Sequence, residues 1–302
     1  MNLAFYPTRD IIIRAAAADV ITRPTLGSLT PGGSVDQFNF GVNFGNPFLE
    51  PFRATTYDVA FEWYFAPQSI FSVALFRKDV ESFPISTTRT GTFASTGLPR
   101  SVLTPGTPAF NNPDAPFTIR TIGNGAGANL KGAEVSLQMP FRFLPGFLRN
   151  FGMLANATFV DSDATYTVGG PATNAAQPPL GTATLAPVNI TREATLFGLS
   201  KRAFNGTLYY EDDRFSARTS VSYRSPFLEG TSATGNIFEG FRSTINVDAS
   251  MRYEITEQIE VSLEGINLTD EYRDRFVDID ANRNYEYNHF GRTFLVGARF
   301  KL

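Results

Sequence analysis

The chain has 302 residues and a formal net charge of −3; 42% of it is apolar and 18% charged, with no cysteine and a single histidine, His289. That apolar content allows a sizeable core and argues against disorder, while the charge offers no basic face to a nucleic acid. Without cysteine there is no disulfide framework, thiol nucleophile, iron–sulfur cluster or Cys-zinc site, and one histidine cannot build a multi-histidine metal centre.

Taken in chain order, a period of two predicts strands over 2–6, 10–21, 56–65, 70–82, 130–139, 151–165, 202–211, 215–224, 244–255, 259–270 and 293–302. The stretch 116–122 is expected to extend the strand that starts at 130, beyond an interruption at 123–127. The clearest alternation sets Ile245, Val247, Ala249, Met251, Tyr253 and Ile255 against Asn246, Asp248, Ser250, Arg252 and Glu254. A helix would mix these sets on every face, whereas a strand separates them. In the last strand Phe294, Val296, Ala298, Phe300 and Leu302 share one face, with Arg299 and Lys301 on the other. No apolar run is long enough for a membrane-spanning helix, but most of these strands approach the roughly ten residues that a tilted strand needs to cross a bilayer.

The connections alternate in length. Short ones at 7–9, 66–69, 140–150, 212–214 and 256–258 alternate with long ones at 22–55, 83–115, 166–201, 225–243 and 271–292. Sorted loops of this kind belong to an outer-membrane barrel, with turns at the periplasmic end and long loops outside the cell. Aromatics cluster at the short turns, as at a membrane interface: Tyr6, Trp63, Tyr64, Phe65, Phe71, Tyr209, Tyr210, Phe215 and Tyr253. The fold class is therefore all-β, an antiparallel transmembrane β-barrel in the outer membrane of a Gram-negative bacterium, with lipid as its surroundings. About eleven strands is an odd count, and bacterial barrels are usually even. The N-terminal MNLAFYPTRD is no signal peptide. The chain is thus expected to be the C-terminal part of a larger barrel.

The stretches ITRPTLGSLTPGG, NPFLEPFRATTYDVAFEWYFAPQSIFSVALFRKDVESF, NLKGAEVSLQMPF, GLSKRAFNGTLYYEDDRFSARTSVSYRS, LEGINLTDEY and the terminal GRTFLVGARFKL, in this order, resemble the barrel of TonB-dependent outer-membrane receptors. The resemblance implies a barrel of about 22 strands around an N-terminal plug. This chain would be its last half, residues 1–302 forming one barrel portion with signal peptide and plug absent. It further implies a transport receptor rather than an enzyme, energised by the TonB complex through the missing plug. Gly297, Phe300 and Leu302 match the C-terminal signal read by the barrel-assembly machinery. The opening stretches resemble a carbohydrate-associated branch of these receptors, which implies an oligosaccharide ligand, with a siderophore as the alternative small molecule.

The remaining motifs carry less. Gly123–Gly127 lacks G-x-G-x-x-G spacing and any βαβ context. Asp278, Asp280 and Asn282 open like a calcium loop, but Arg283 and His289 occupy its two diagnostic positions. Carboxylates show no acid–base pairing, and His289 reads as a loop residue. No cofactor is implied. Among loop aromatics suited to stacking on a ligand, Phe238, Tyr285 and Tyr287 are the candidate contacts. A self-contained porin or autotransporter-type barrel, and a soluble β-rich enzyme or lectin, are the competing classes. Epitope tags at Asn174 and Gly235 should be accessible on whole cells and a tag at Asp212 only after permeabilisation; the opposite labelling would invert the topology.

Overall fold

The computed structural model describes residues 1–168, 190–230 and 238–301; Asn174, Gly235 and Leu302 lie outside them. Among the described residues, eleven strands follow one another in a single antiparallel path. They are β1 (Asn2–Thr8), β2 (Ile11–Thr22), β3 (Phe52–Ala66), β4 (Ser69–Ser82), β5 (Ala128–Pro140), β6 (Phe151–Val168), β7 (Arg202–Glu211), β8 (Phe215–Arg224), β9 (Thr244–Thr256), β10 (Ile259–Ile266) and β11 (Thr293–Phe300). Each pairs with its sequence neighbour, so this is an up-and-down meander with no crossover. Among the described residues β1 pairs only with β2 and β11 only with β10, so the sheet is open at both edges.

Register separates the two faces. Val221 lies opposite Val247, Met251 opposite Leu263 and Leu263 opposite Val296, an apolar ladder running across four strands. One position away, Ser220 opposes Asp248, and Ser250 opposes both Arg218 and Glu264. The apolar ladder is uncovered, Val296 being 83% and Phe294 64% exposed. A face this large and apolar is a surface for lipid, and the polar face is the lumen. Arg14 and Glu62 pair on the lumen side at 2.7 Å, with the Tyr64 hydroxyl donating to the same carboxylate at 2.9 Å.

The turn aromatics divide by the same parity. Trp63 lies opposite Phe71 and Ile11, Tyr210 opposite Phe151, and Phe215 opposite Tyr253, all on the lipid face. Phe151 and Tyr210 meet edge to face at 4.9 Å. Tyr64 and Tyr209 leave the expected lipid girdle for the lumen, where Tyr209 lies across Gly152 so closely that any side chain there would collide with it. The tight turn between β7 and β8 is closed by Asp212, whose Oδ1 accepts the amides of Arg214 at 3.0 Å and Phe215 at 2.8 Å. These two bonds hold its carboxyl below the usual range.

Several bounds differ from the sequence pattern. β10 stops at Ile266 rather than 270, because Asn267 enters the left-handed region (φ 56°) and its Oδ1 accepts the amide of Glu271 at 2.8 Å. β3 begins earlier, at Phe52, and β6 runs on to Val168, where Ile190–Ala194 pairs back on it. The long connections contain two further four-stranded sheets. One joins Gly33–Asp36, Gly41–Phe44, Phe117–Asn124 and Pro84–Gly91 around a core of Val42, Phe93, Leu103, Ala109, Phe117 and Ile119. Its Pro84–Asn124 hairpin continues the β4–β5 register: Val80 faces Ala128, the Gly125 amide donates to the Phe83 carbonyl at 2.8 Å, and Pro84 faces Asn124. The stretch expected to extend β5 does so, but as part of a separate sheet. Gly127 sits at the break because the carbonyls of Val80 and Glu81 approach it too closely for a Cβ.

Val247→Arg should cost about 2–4 kcal/mol if it lies near the bilayer midplane, and Ser250→Arg far less. Urea unfolding of the reconstituted protein measures both, and equal losses would contradict the division into lipid and lumen faces.

Candidate functional site

The second loop sheet stands over the last barrel strands. It joins Phe227–Gly230, Glu239–Phe241, Tyr272–Val277 and Arg283–His289, all antiparallel. One side packs on Ala128, Ala164, Tyr166, Leu228, Phe238 and Phe276, with Tyr166 stacked on Phe197 at 4.1 Å. Phe238 is only 1% exposed there, so its ring belongs to the core and is not presented to a ligand. Tyr285 and Tyr287 remain half exposed or more. Tyr287 stacks on Tyr272 at 4.7 Å, and Tyr272 stacks on His289 at 4.2 Å. His289 is also anchored by a 2.8 Å bond between Nε2 and Asp270 Oδ1, which makes it a braced strand end rather than a free loop residue.

Arg275 ties this sheet together. Its guanidinium reaches Glu229 at 2.5 Å, Glu286 at 2.9 Å and Glu239 at 3.6 Å, and lies over the rings of Phe241 and Tyr285. Glu286 is held below the usual carboxylate range by the Asn288 amide and then by Arg275. Arg242 is likewise committed, to Asn284 at 2.8 Å and Asp274 at 3.8 Å.

Arg224 and Arg273 differ. The Arg224 guanidinium lies 3.6 Å from the Phe227 ring centre and Arg273 4.4 Å from that of Phe241. The two rings stack at 5.2 Å and 28°. Beneath them opens a cavity of about 450 Å³, walled by Phe227, Phe241, Tyr272, Arg273 and Phe290 and floored by lumen-facing Arg224, Thr244, Asn246, Ile266 and Thr293. Its position is the outer mouth of the lumen. A pocket of this size, with several rings and few polar groups, suits a small ligand.

The other candidates resolve into structure. Asp278 Oδ1 accepts the amides of Asp280 and Ala281, both at 3.2 Å, and Asp280 pairs with Arg192 at 2.8 Å. Among the described residues no group of three or more His, Cys, Asp or Glu side chains could hold a metal. Gly297 faces Ser262 on the lumen side, and Phe300 faces Ile259 toward lipid. The sequence reading missed Arg224, Phe227, Asn246 and Arg273. The alternation of Arg273 and Arg275 about Asp274 was the available signal, since it puts both guanidiniums on one side of a strand.

A family model described as TonB dependent receptor-like, beta-barrel matches residues 1–268. The chain belongs to this family. TonB-dependent receptor barrels are outer-membrane proteins of Gram-negative bacteria, and they are transport receptors. No curated protein sequence matches the chain. Among solved structures it is similar to the ferric enterobactin receptor of Pseudomonas aeruginosa, with a TM-score of 0.60 and 14% identity over 99% of this chain and 40% of that one. The siderophore receptor PiuA of Acinetobacter baumannii gives 0.60 and 14%, over 99% of this chain and 35% of that one. The ferric-catecholate import receptor Fiu of E. coli K12 gives 0.59 and 15%, over 99% and 34%. At such identities the likeness is one of fold. The chain spans less than half the length of each.

The outer sheet of this TonB-dependent barrel should depend on acid pH. A lowered carboxyl stabilises the fold above its ordinary value, about 4.3 for glutamate, and that contribution disappears as pH falls through the lowered one. Hydrogen exchange across Tyr272–His289, corrected for intrinsic rates, should stay slow at pH 6 and accelerate below about pH 4. Arg275→Gln should speed exchange at pH 6 and shrink the acid step; a profile unchanged by the substitution would discount the role given to Arg275.

Proposed function

We propose that the complete receptor captures an oligosaccharide at the outer mouth of the barrel and imports it with energy delivered by the TonB complex through an N-terminal plug. The mouth cavity carries this reading. It combines four rings with the Asn246 amide and the Tyr272 hydroxyl, neither of which has a hydrogen-bond partner among the described residues. Apolar ring faces suit the C–H faces of a sugar, and free amide and hydroxyl groups suit its hydroxyls. On this reading the three residues Gly297, Phe300 and Leu302 serve delivery of the barrel to its assembly machinery. The second reading, a ferric siderophore as ligand, is favoured by the names of the similar solved structures, all three of which take up iron chelates or bind siderophores by those names.

Uptake of a labelled oligosaccharide by cells carrying the receptor should stop when TonB is deleted, and iron starvation should leave receptor expression unchanged. Strong induction by iron depletion, with uptake of a ferric chelate and no sugar binding, would reverse the ranking.

A further inference from the structure

We propose that Arg224 and Arg273 make the mouth cavity selective for an acidic ligand, a uronate-bearing oligosaccharide whose carboxylates pair with these guanidiniums. The inference rests on the oligosaccharide reading above and adds charge to it.

The arginines of this region fall into two groups. Arg275, Arg242, Arg292 and Arg192 each have a carboxylate within ion-pair distance. Arg224 and Arg273 have none among the described residues. Arg224 donates Nε to Ser200 Oγ at 2.6 Å and one Nη2 proton to the Gly198 carbonyl, which leaves three N–H groups without a partner among the described residues. The Arg273 side chain makes no hydrogen bond among the described residues and rests over the Phe241 ring. A guanidinium over a ring keeps N–H donors for a planar anion, and its charge is always on.

The lining holds these two cations and one carboxylate, Glu271, and Glu286 acts electrostatically on Arg273. Nearby Asp270 is already engaged by His289 and Arg292. Both arginines are exposed at the cavity, so their guanidiniums are open to an anion that enters it. Asn246 and Tyr272 then remain for the hydroxyls of the same sugar.

Calorimetry on the complete receptor in detergent, with trigalacturonate, its methyl ester and ferric tris-catecholate as probes, tests the proposal. Trigalacturonate should bind at least about tenfold more tightly than its ester, as expected for a charge-assisted bond gained or lost, and more weakly as salt rises. Arg273→Gln and Arg224→Gln should each bring the acid down toward the ester while leaving the ester unchanged, and Arg273→Lys should restore part of the difference. Equal binding of acid and ester, or variants that weaken both alike, would overturn charge selection and leave the oligosaccharide reading standing. Arginine-dependent binding of the ferric tris-catecholate alone would keep the anion site and overturn the oligosaccharide. Binding of neither anion would overturn the proposal.

Discussion

Hydrocarbon offers no hydrogen bonds, so a chain that crosses it as strands must pair every backbone N–H and C=O with another strand. The long β2–β6 ladders, the strict neighbour-to-neighbour pairing and the absence of crossovers all follow from that requirement. Among the described residues the outer edges of β1 and β11 carry no strand partner.

Above the membrane the constraint relaxes and the protein behaves as ordinary globular matter. The β4–β5 hairpin keeps its register through the Phe83–Gly125 break and enters a sheet with a dry core around Phe117 and Val42. The other outer sheet buries Phe238 and Tyr166 and concentrates its charge around Arg275. Rigid strands rather than loose loops therefore hold the cavity wall, so Phe227, Phe241 and Arg273 are positioned by ladders that also carry structural load. Such preorganisation reduces the ordering cost of binding.

The barrel was legible because alternation over ten or more residues leaves one interpretation, as at 245–255, where every odd side chain is on the lipid face. The outer sheets were not, because strands of three to eight residues such as Glu239–Phe241 are too short for a period to declare itself. The aromatic girdle was half legible: its location at the short turns was visible, but Tyr64 and Tyr209 needed register to be assigned to the lumen. Loop aromatics misled most. Phe238 and Tyr287 are equivalent in composition, yet one is sealed in a core and the other lies open, a difference decided by contacts across tens of residues. The mouth cavity was invisible for the same reason, since Arg224, Asn246 and Arg273 come from three separate elements.

The central claim is that one face of these strands meets lipid and the other an aqueous lumen. The chain contains no cysteine, so single cysteines can be placed in it at each position from 245 to 253, spin-labelled in bilayers and probed with oxygen against a water-soluble nickel chelate. Positions 245, 247, 249, 251 and 253 should favour oxygen and positions 246, 248, 250 and 252 the nickel chelate. A profile without a period of two, or with its phase reversed, would contradict the account.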